Sequence, residues 1–200
     1  MSLVKHHELE ATTDGLAYFV PAHGENALGE DPLGTALREL GGTRALKELE
    51  FADLQPGEAV LKRAYGTKVA FIVATPSPVY NASTHEGVDA FSAALRCCLS
   101  AANERGLASI CFGSWSLAAA GMPARLAAMT TYRVLDEWQR MNRRRHLKRI
   151  VLALHDREGF KVFREVARLP PSSSSAQSSL LALPNILGED GVWKVDKVSW

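Results

Sequence analysis

"LASICFGSWSLAAAGMPARLAA" (residues 107–128) runs from an apolar segment through a loop of small side chains into a helix, and that order sets the fold. Residues 107–112 read as a buried strand. Pro123 has the fixed φ that suits the first position of a helix. Beyond it Ala127, Thr130, Val134, Trp138 and Met141 recur at helical spacing and predict one apolar face. Upstream, Val88, Phe91, Leu95, Cys98 and Ala102 predict another helix between Glu86 and Gly106. Downstream, "RIVLALH" (149–155) reads as a strand and "REGFKVFREVARL" (157–169) as a helix bearing Phe160, Phe163 and Ala167. Helix–strand–helix–strand–helix is a parallel crossover pattern, and it needs helices on both faces of one sheet.

The N-terminal half supplies the rest of that sheet. "GLAYFV" (15–20) is a strand that stops at Pro21, and the loop "HGENALGEDPLG" (23–34) follows. Asp31-Pro32 reads as an N-cap with proline at the first helical position, leading into "LGTALREL" and closed by Gly41-Gly42. "RALKELEFA" (44–52) predicts a second helix. "EAVLKRA" (58–64) and "KVAFIVAT" (68–75) predict two strands joined at Tyr65-Gly66. The second is nearly all apolar, as in a strand covered on both faces. Ligand sites in such sheets lie beyond the carboxyl ends of the strands. That rule places "GSWSLAAAG" (113–121) at a candidate cleft, with 23–34 at the same edge. Backbone N–H groups at Gly29, Gly34, Ser116 and Gly121 would suit a phosphate there. Trp115 either stacks on a base or sugar or packs inward against Met122, and Ser114 either serves the site or caps the turn that follows it.

Composition excludes several classes of function. Apolar residues make up 46% and charged residues 22% of 200, the balance of a soluble globular chain. A net charge of +1 gives no global field for nucleic acid or anionic membrane. No run is long enough for a bilayer span, and the first residues have no apolar core for a signal peptide, so an intracellular protein is expected. Three cysteines form no disulfide framework, and "HHELE" lacks the partner spacing of a zinc site, so neither metal nor cofactor is expected. "LPPSSSSAQSSLLALP" (169–184) reads as a linker. The chain therefore divides into a domain over 1–168, this linker, and a segment over 185–200. "GVWKVDKVSW" (191–200) holds Trp193 and Trp200 among valines, too apolar for a free end, and predicts an extended segment that docks on a partner by adding to a sheet edge.

Three stretches give the chain a resemblance to macro domains, the fold associated with binding ADP-ribose and, in some members, cleaving ADP-ribosyl bonds. "GEAVLKRAYGTKVAFIVATPSPVY" (57–80) is similar to the family's Gly-Glu-Ala turn, strand and apolar strand ending in proline, at Gly57, Glu58, Ala59, Lys68 and Pro76. "DAFSAALRCCLSAANERGLASICF" (89–112) resembles its Ala-rich helix and the strand after it. "FGSWSLAAAGMPARLAA" (112–128) aligns without gaps to the second ligand loop, matching at Phe112, Ser116, Gly121 and Pro123. The degenerate macro domain of the ganglioside-induced differentiation-associated type 2 proteins is the subgroup most similar in feel. The resemblance covers about residues 14–167 and implies a three-layer α/β/α fold with a mixed central sheet, followed by a C-terminal extension.

Departures from the pattern set the functional expectation. Where the family has Thr-Gly-Ile-Tyr, this chain has Leu117, Ala118, Ala119 and Ala120, losing a hydroxyl, a glycine and an aromatic wall. The first loop replaces Asn-Ala-Ala-Asn by "YFVPAH", and Glu30 and Asp31 bring negative charge against a diphosphate. The acid that would hold adenine falls near His7 or Glu8, with Glu8 the candidate substitute. No Gly-x-Ser-x-Gly elbow surrounds Ser116, and no spacing pairs Asp14, Glu8 or His23 with a nucleophile. The expected function is a non-catalytic interaction module with a degraded nucleotide cleft, contacting protein or RNA. The alternative is an ADP-ribose-binding protein or ADP-ribosyl hydrolase. For the partner, "RMNRRRHLKR" (140–149) groups Arg140, Arg143, Arg144, Arg145, Lys148 and Arg149, either capping a helix end or meeting RNA phosphates or an acidic protein.

Overall fold

The computed structural model describes residues 12–21, 31–41, 44–50, 54–84, 86–117, 121–142, 146–154, 157–168, 185–187 and 193–195; of 41, 45, 46, 50, 114, 115, 185–187 and 193–195 it describes the backbone alone. The elements in chain order are β1 (Gly15–Val20), α1 (Pro32–Gly41), α2 (Arg44–Glu50), β2 (Val60–Arg63), β3 (Phe71–Pro76), α3 (Val88–Glu104), β4 (Ser109–Gly113), α4 (Ser114–Leu117), α5 (Ala124–Met141), β5 (Arg149–Ala153), α6 (Arg157–Arg168), β6 (Asn185–Leu187) and β7 (Trp193–Val195). Five strands form one sheet in the order β2-β3-β1-β4-β5. β1 runs parallel to β3 and β4, β4 runs parallel to β5, and β2 is antiparallel to β3 at the edge. The sheet is mixed, as expected.

β1 shows why helices must cover both faces. All six of its residues are buried. Ala17 and Phe19 face one cluster, which α3, α5 and α6 complete through Phe91, Leu95, Leu99, Val134, Trp138 and Phe163. Leu16, Tyr18 and Val20 face the other, which α1 and α2 close with Leu33, Ala36, Leu37 and Leu49. The period of two along the strand thus feeds two cores, one per face. Burying a leucine- or phenylalanine-sized side chain contributes about 1.5–3 kcal/mol.

The predicted helix faces hold with one change. Phe91, Leu95, Cys98 and Ala102 have no exposed surface, whereas Met141, at the end of the predicted α5 face, is 74% exposed. The expected Asp31 cap forms: Oδ1 accepts from the N–H groups of Leu33 at 3.0 Å and Gly34 at 2.9 Å. Farther on, β6 pairs antiparallel with β7, and β7 lies beside the edge strand β5. Segment 169–184 and Trp200 fall outside the described residues.

Candidate functional site

From β1 the chain crosses to β3 on one side and later returns to β4 on the other, so the sheet reverses its order of winding between β1 and β4. A crevice opens at the carboxyl ends of strands where winding reverses. Here that place lies between the ends of β1 and β4, which run parallel side by side. The register binds this edge tightly. Ala17 sits opposite Phe112, Val20 opposite Pro76, and the Ser77 N–H donates to the Val20 carbonyl at 2.7 Å.

After β4 the sequence predicts a loop, and the chain instead coils at once into α4. The short helix turns Ser116 and Leu117 inward. Ser116 is fully buried, and its Oγ donates to the Ala17 carbonyl at 3.0 Å, tying α4 to β1 across the crevice. Leu117 and Met122 are buried in the core beside it. Gly121 then reverses the chain at φ +71°, exposed, with nothing near the place a Cβ would take. The matching serine of this loop is therefore a strut. Ser116→Ala should lower stability by about 1–2 kcal/mol, since the buried Ala17 carbonyl loses its side-chain donor. Urea unfolding measures this, and an unchanged midpoint would mean that water replaces the hydroxyl.

The other wall begins at Asp31. This residue is buried at 7% exposure, and Oδ2 accepts from the Tyr18 hydroxyl at 2.5 Å while Oδ1 takes the Leu33 and Gly34 amides. A helix N-terminus is a natural anion site because its first N–H groups lack intrahelical partners. In α1 the anion is supplied from within the chain. The Gly34 N–H, expected to serve a ligand, is held by Asp31. Asp31, expected to face a diphosphate, instead points into the fold toward Tyr18.

The structure does not bring the remaining candidates together at this edge. Glu8 and Gly29 lie outside the described residues, as do the side chains of Ser114 and Trp115. Asp14 stands at the opposite end of β1. Its Oδ2 accepts from the amides of Ala108 and Ser109 and from the Ser109 hydroxyl, which places it as a brace between strands. The neighbouring cysteines are poor nucleophiles. Burial pushes the thiols of Cys97 and Cys98 up, away from the thiolate. Among the described residues no group of three or more His, Cys, Asp or Glu side chains could hold a metal, and no helix is long and apolar enough to cross a membrane.

Within the basic cluster, Arg140 pairs with Asp136 at 3.0 Å one turn back on α5. Arg149 Nη1 donates to the Thr12 carbonyl at 3.1 Å, and Lys148 is exposed. Arg143, Arg144 and Arg145 lie outside the described residues.

A family model described as "Macro domain" matches residues 20–131, the span that holds both walls of this crevice. The chain belongs to the macro domain family. A macro domain-containing protein of Listeria monocytogenes is 23% identical over 162 residues, covering 78% of this chain and 92% of its own. Among solved structures, the macro domain of ganglioside induced differentiation associated protein 2 superposes at a TM-score of 0.66 with 16% identity, covering 81% of this macro domain and 80% of that chain. The Oceanobacillus iheyensis macrodomain with ADP gives 0.65 at 20% identity, covering 80% and 85%. The Trypanosoma brucei macrodomain in complex with ADP-ribose gives 0.65 at 21%, covering 77% and 63%. At these identities the likeness is one of fold.

Two features of the crevice escaped sequence reasoning. The burial of Ser116 had no signal, because a loop serine and a strut serine look alike in sequence. The occupation of the α1 amides was within reach. The Asp-Pro cap was legible, and a side chain that caps a helix consumes the donors a phosphate would use.

Proposed function

We propose that this macro domain is a non-catalytic interaction module whose nucleotide cleft is closed off from within, and that it contacts a protein or RNA partner through other surfaces. The Asp31 carboxylate seated on the N-terminus of α1 carries the reading. A phosphate brought within 4 Å of that carboxylate is repelled by about 4 kcal/mol per unit charge at an effective dielectric near 20. It also finds the Leu33 and Gly34 donors already engaged. Loss of the family's Thr-Gly-Ile-Tyr at 117–120 and the inward turn of Ser116 act in the same direction. The remaining groups of the degenerate cleft are Glu8, Gly29, Ser114, Trp115 and Gly121. The partner contacts are assigned to the 140–149 cluster and to Trp200, since the backbone of Trp193 lies in β7 beside β5 of this same chain.

Calorimetric titration with ADP-ribose tests this. The expected result is no heat of binding up to millimolar ligand. A micromolar constant would overturn the reading in favour of the alternative, an ADP-ribose binder or hydrolase. Gly121 supports that alternative. It keeps an open left-handed turn between α4 and α5, where backbone could approach a ligand.

A further inference from the structure

Helix α6 carries a second basic surface that composition conceals. Arg157, Lys161, Arg164 and Arg168 follow one another at spacings of four, three and four, and all four are exposed. At 3.6 residues per turn they fall within about 60° of arc and form a line about 16 Å long. The opposite side of the helix is fixed in the core by Phe163 and Val166, so the line cannot turn inward. Two carboxylates share the helix, Glu158 and Glu165. Only the first engages a cation of the line, taking Lys161 Nζ at 2.7 Å.

Topology extends the line. β4 and β5 are parallel, so α5 and α6, which follow them, both run back toward the amino ends of the strands. The two helices pack side by side. Arg168, at the end of α6, therefore comes down at the same end of the sheet as Arg140 at the end of α5 and Lys148 just before β5. This end is opposite the crevice.

We infer that the α6 face binds the phosphodiester backbone of a single-stranded nucleic acid. A partner strand must offer negative charge in a line at a repeat close to one helical turn, and successive phosphates of a nucleic-acid strand do so. An acidic protein surface is a weaker match, because its carboxylates come at no fixed linear repeat, and it is the competing outcome of the test below. Phe160 and Val162 are half-buried against the core. An anionic membrane would draw the same cations but presents no linear repeat to match them. No aromatic side chain of α6 is exposed for base stacking, so the contact is independent of sequence. The inference deepens the partner side of the interaction-module reading but does not use the crevice. An ADP-ribose titration that reverses that reading leaves this one standing.

The test is fluorescence anisotropy with a labelled single-stranded RNA of mixed sequence, about fifteen nucleotides long, against salt. Each neutralised phosphate of a single strand contributes about −0.7 to the slope of log K against log salt. Three or four contacts on α6 therefore lower affinity about 20–50-fold between about 50 and 200 mM salt. Replacing Arg157, Arg164 and Arg168 together by Ala should flatten the slope by about 2. The urea midpoint of the triple variant reports on its fold, and if it fails, Arg164→Glu alone should weaken binding at low salt. A slope unchanged by these substitutions overturns the inference. So does polyglutamate displacing the RNA as effectively as unlabelled RNA does, which would assign the face to an acidic protein.

Discussion

Gly87→Ala should destabilise the domain by about 2–5 kcal/mol, the larger of the two substitution effects that stand out. Gly87 precedes α3 at φ +99°, a conformation that costs an L-residue about 1–2 kcal/mol. A Cβ there would also lie 2.2 Å from the Val79 carbonyl oxygen and 2.9 Å from Tyr80 Cα. These are backbone atoms and cannot rotate away. Relief requires the 77–87 segment to move, at about 1–3 kcal/mol for overpacking. The same segment holds the Asn81 N–H on the Glu86 carbonyl and the Ser77 N–H on Val20, so the shift reaches the end of β1. Urea denaturation should show a lower midpoint at unchanged slope. A loss below 1 kcal/mol would mean that the turn relaxes without disturbing the strand edge.

Asp31→Ala should cost about 2–4 kcal/mol. Removing an N-cap accounts for about 1 kcal/mol of this. The Tyr18 hydroxyl loses its hydrogen bond to the charged Oδ2, which adds about 1.5–3 kcal/mol. Asp31→Asn separates charge from shape. Asparagine caps as well as aspartate, and its amide can donate to Tyr18 while its oxygen still accepts from the backbone. Stability should fall by less than about 1 kcal/mol, while the negative charge over the α1 amides disappears. With that charge gone, ADP-ribose binding should come into range, at a constant at least tenfold below the millimolar limit to which the parent shows none, about 1.4 kcal/mol. If Asp31→Asn binds no better, the obstacle lies in the 117–120 replacements and not in the self-supplied anion.

The sheet was largely legible in sequence because its strands are either uniformly apolar or bounded by Pro and Gly. "GLAYFV" reads as a strand from its apolar run and the stop at Pro21, and the structure buries all six residues. α3 and α5 showed their faces through the spacing of Phe91, Leu95 and Cys98 and of Ala127, Val134 and Trp138. Met141 broke the pattern because the last residue of a helix has no following turn to cover it. The crevice was read less well, for a different reason. Periodicity reports which way a side chain faces when a layer lies above or below it, and loops at a strand edge have no such layer. Ser116 and Asp31 are both polar residues in glycine-bearing loops, the usual composition of a binding site. Only their partners, the Ala17 carbonyl and the Tyr18 hydroxyl, show that they serve the fold.

The position of β1 also bears on how the protein must be made. Among the described residues it is the first strand of the sheet to be synthesised, yet it occupies the middle, and its link from Asp14 to Ser109 spans 95 residues. At about 5–20 residues per second, about 5–20 s pass between the emergence of β1 and that of β4. Throughout that interval a six-residue stretch with no polar side chain beyond one tyrosine hydroxyl waits without its second neighbour. The β2–β3 hairpin arrives earlier and can cover one side, leaving the β4 side as the exposed template. Nascent chains stalled between β3 and β4 should therefore be the state that chaperones hold, and pairings with many residues between them make the last closure slow.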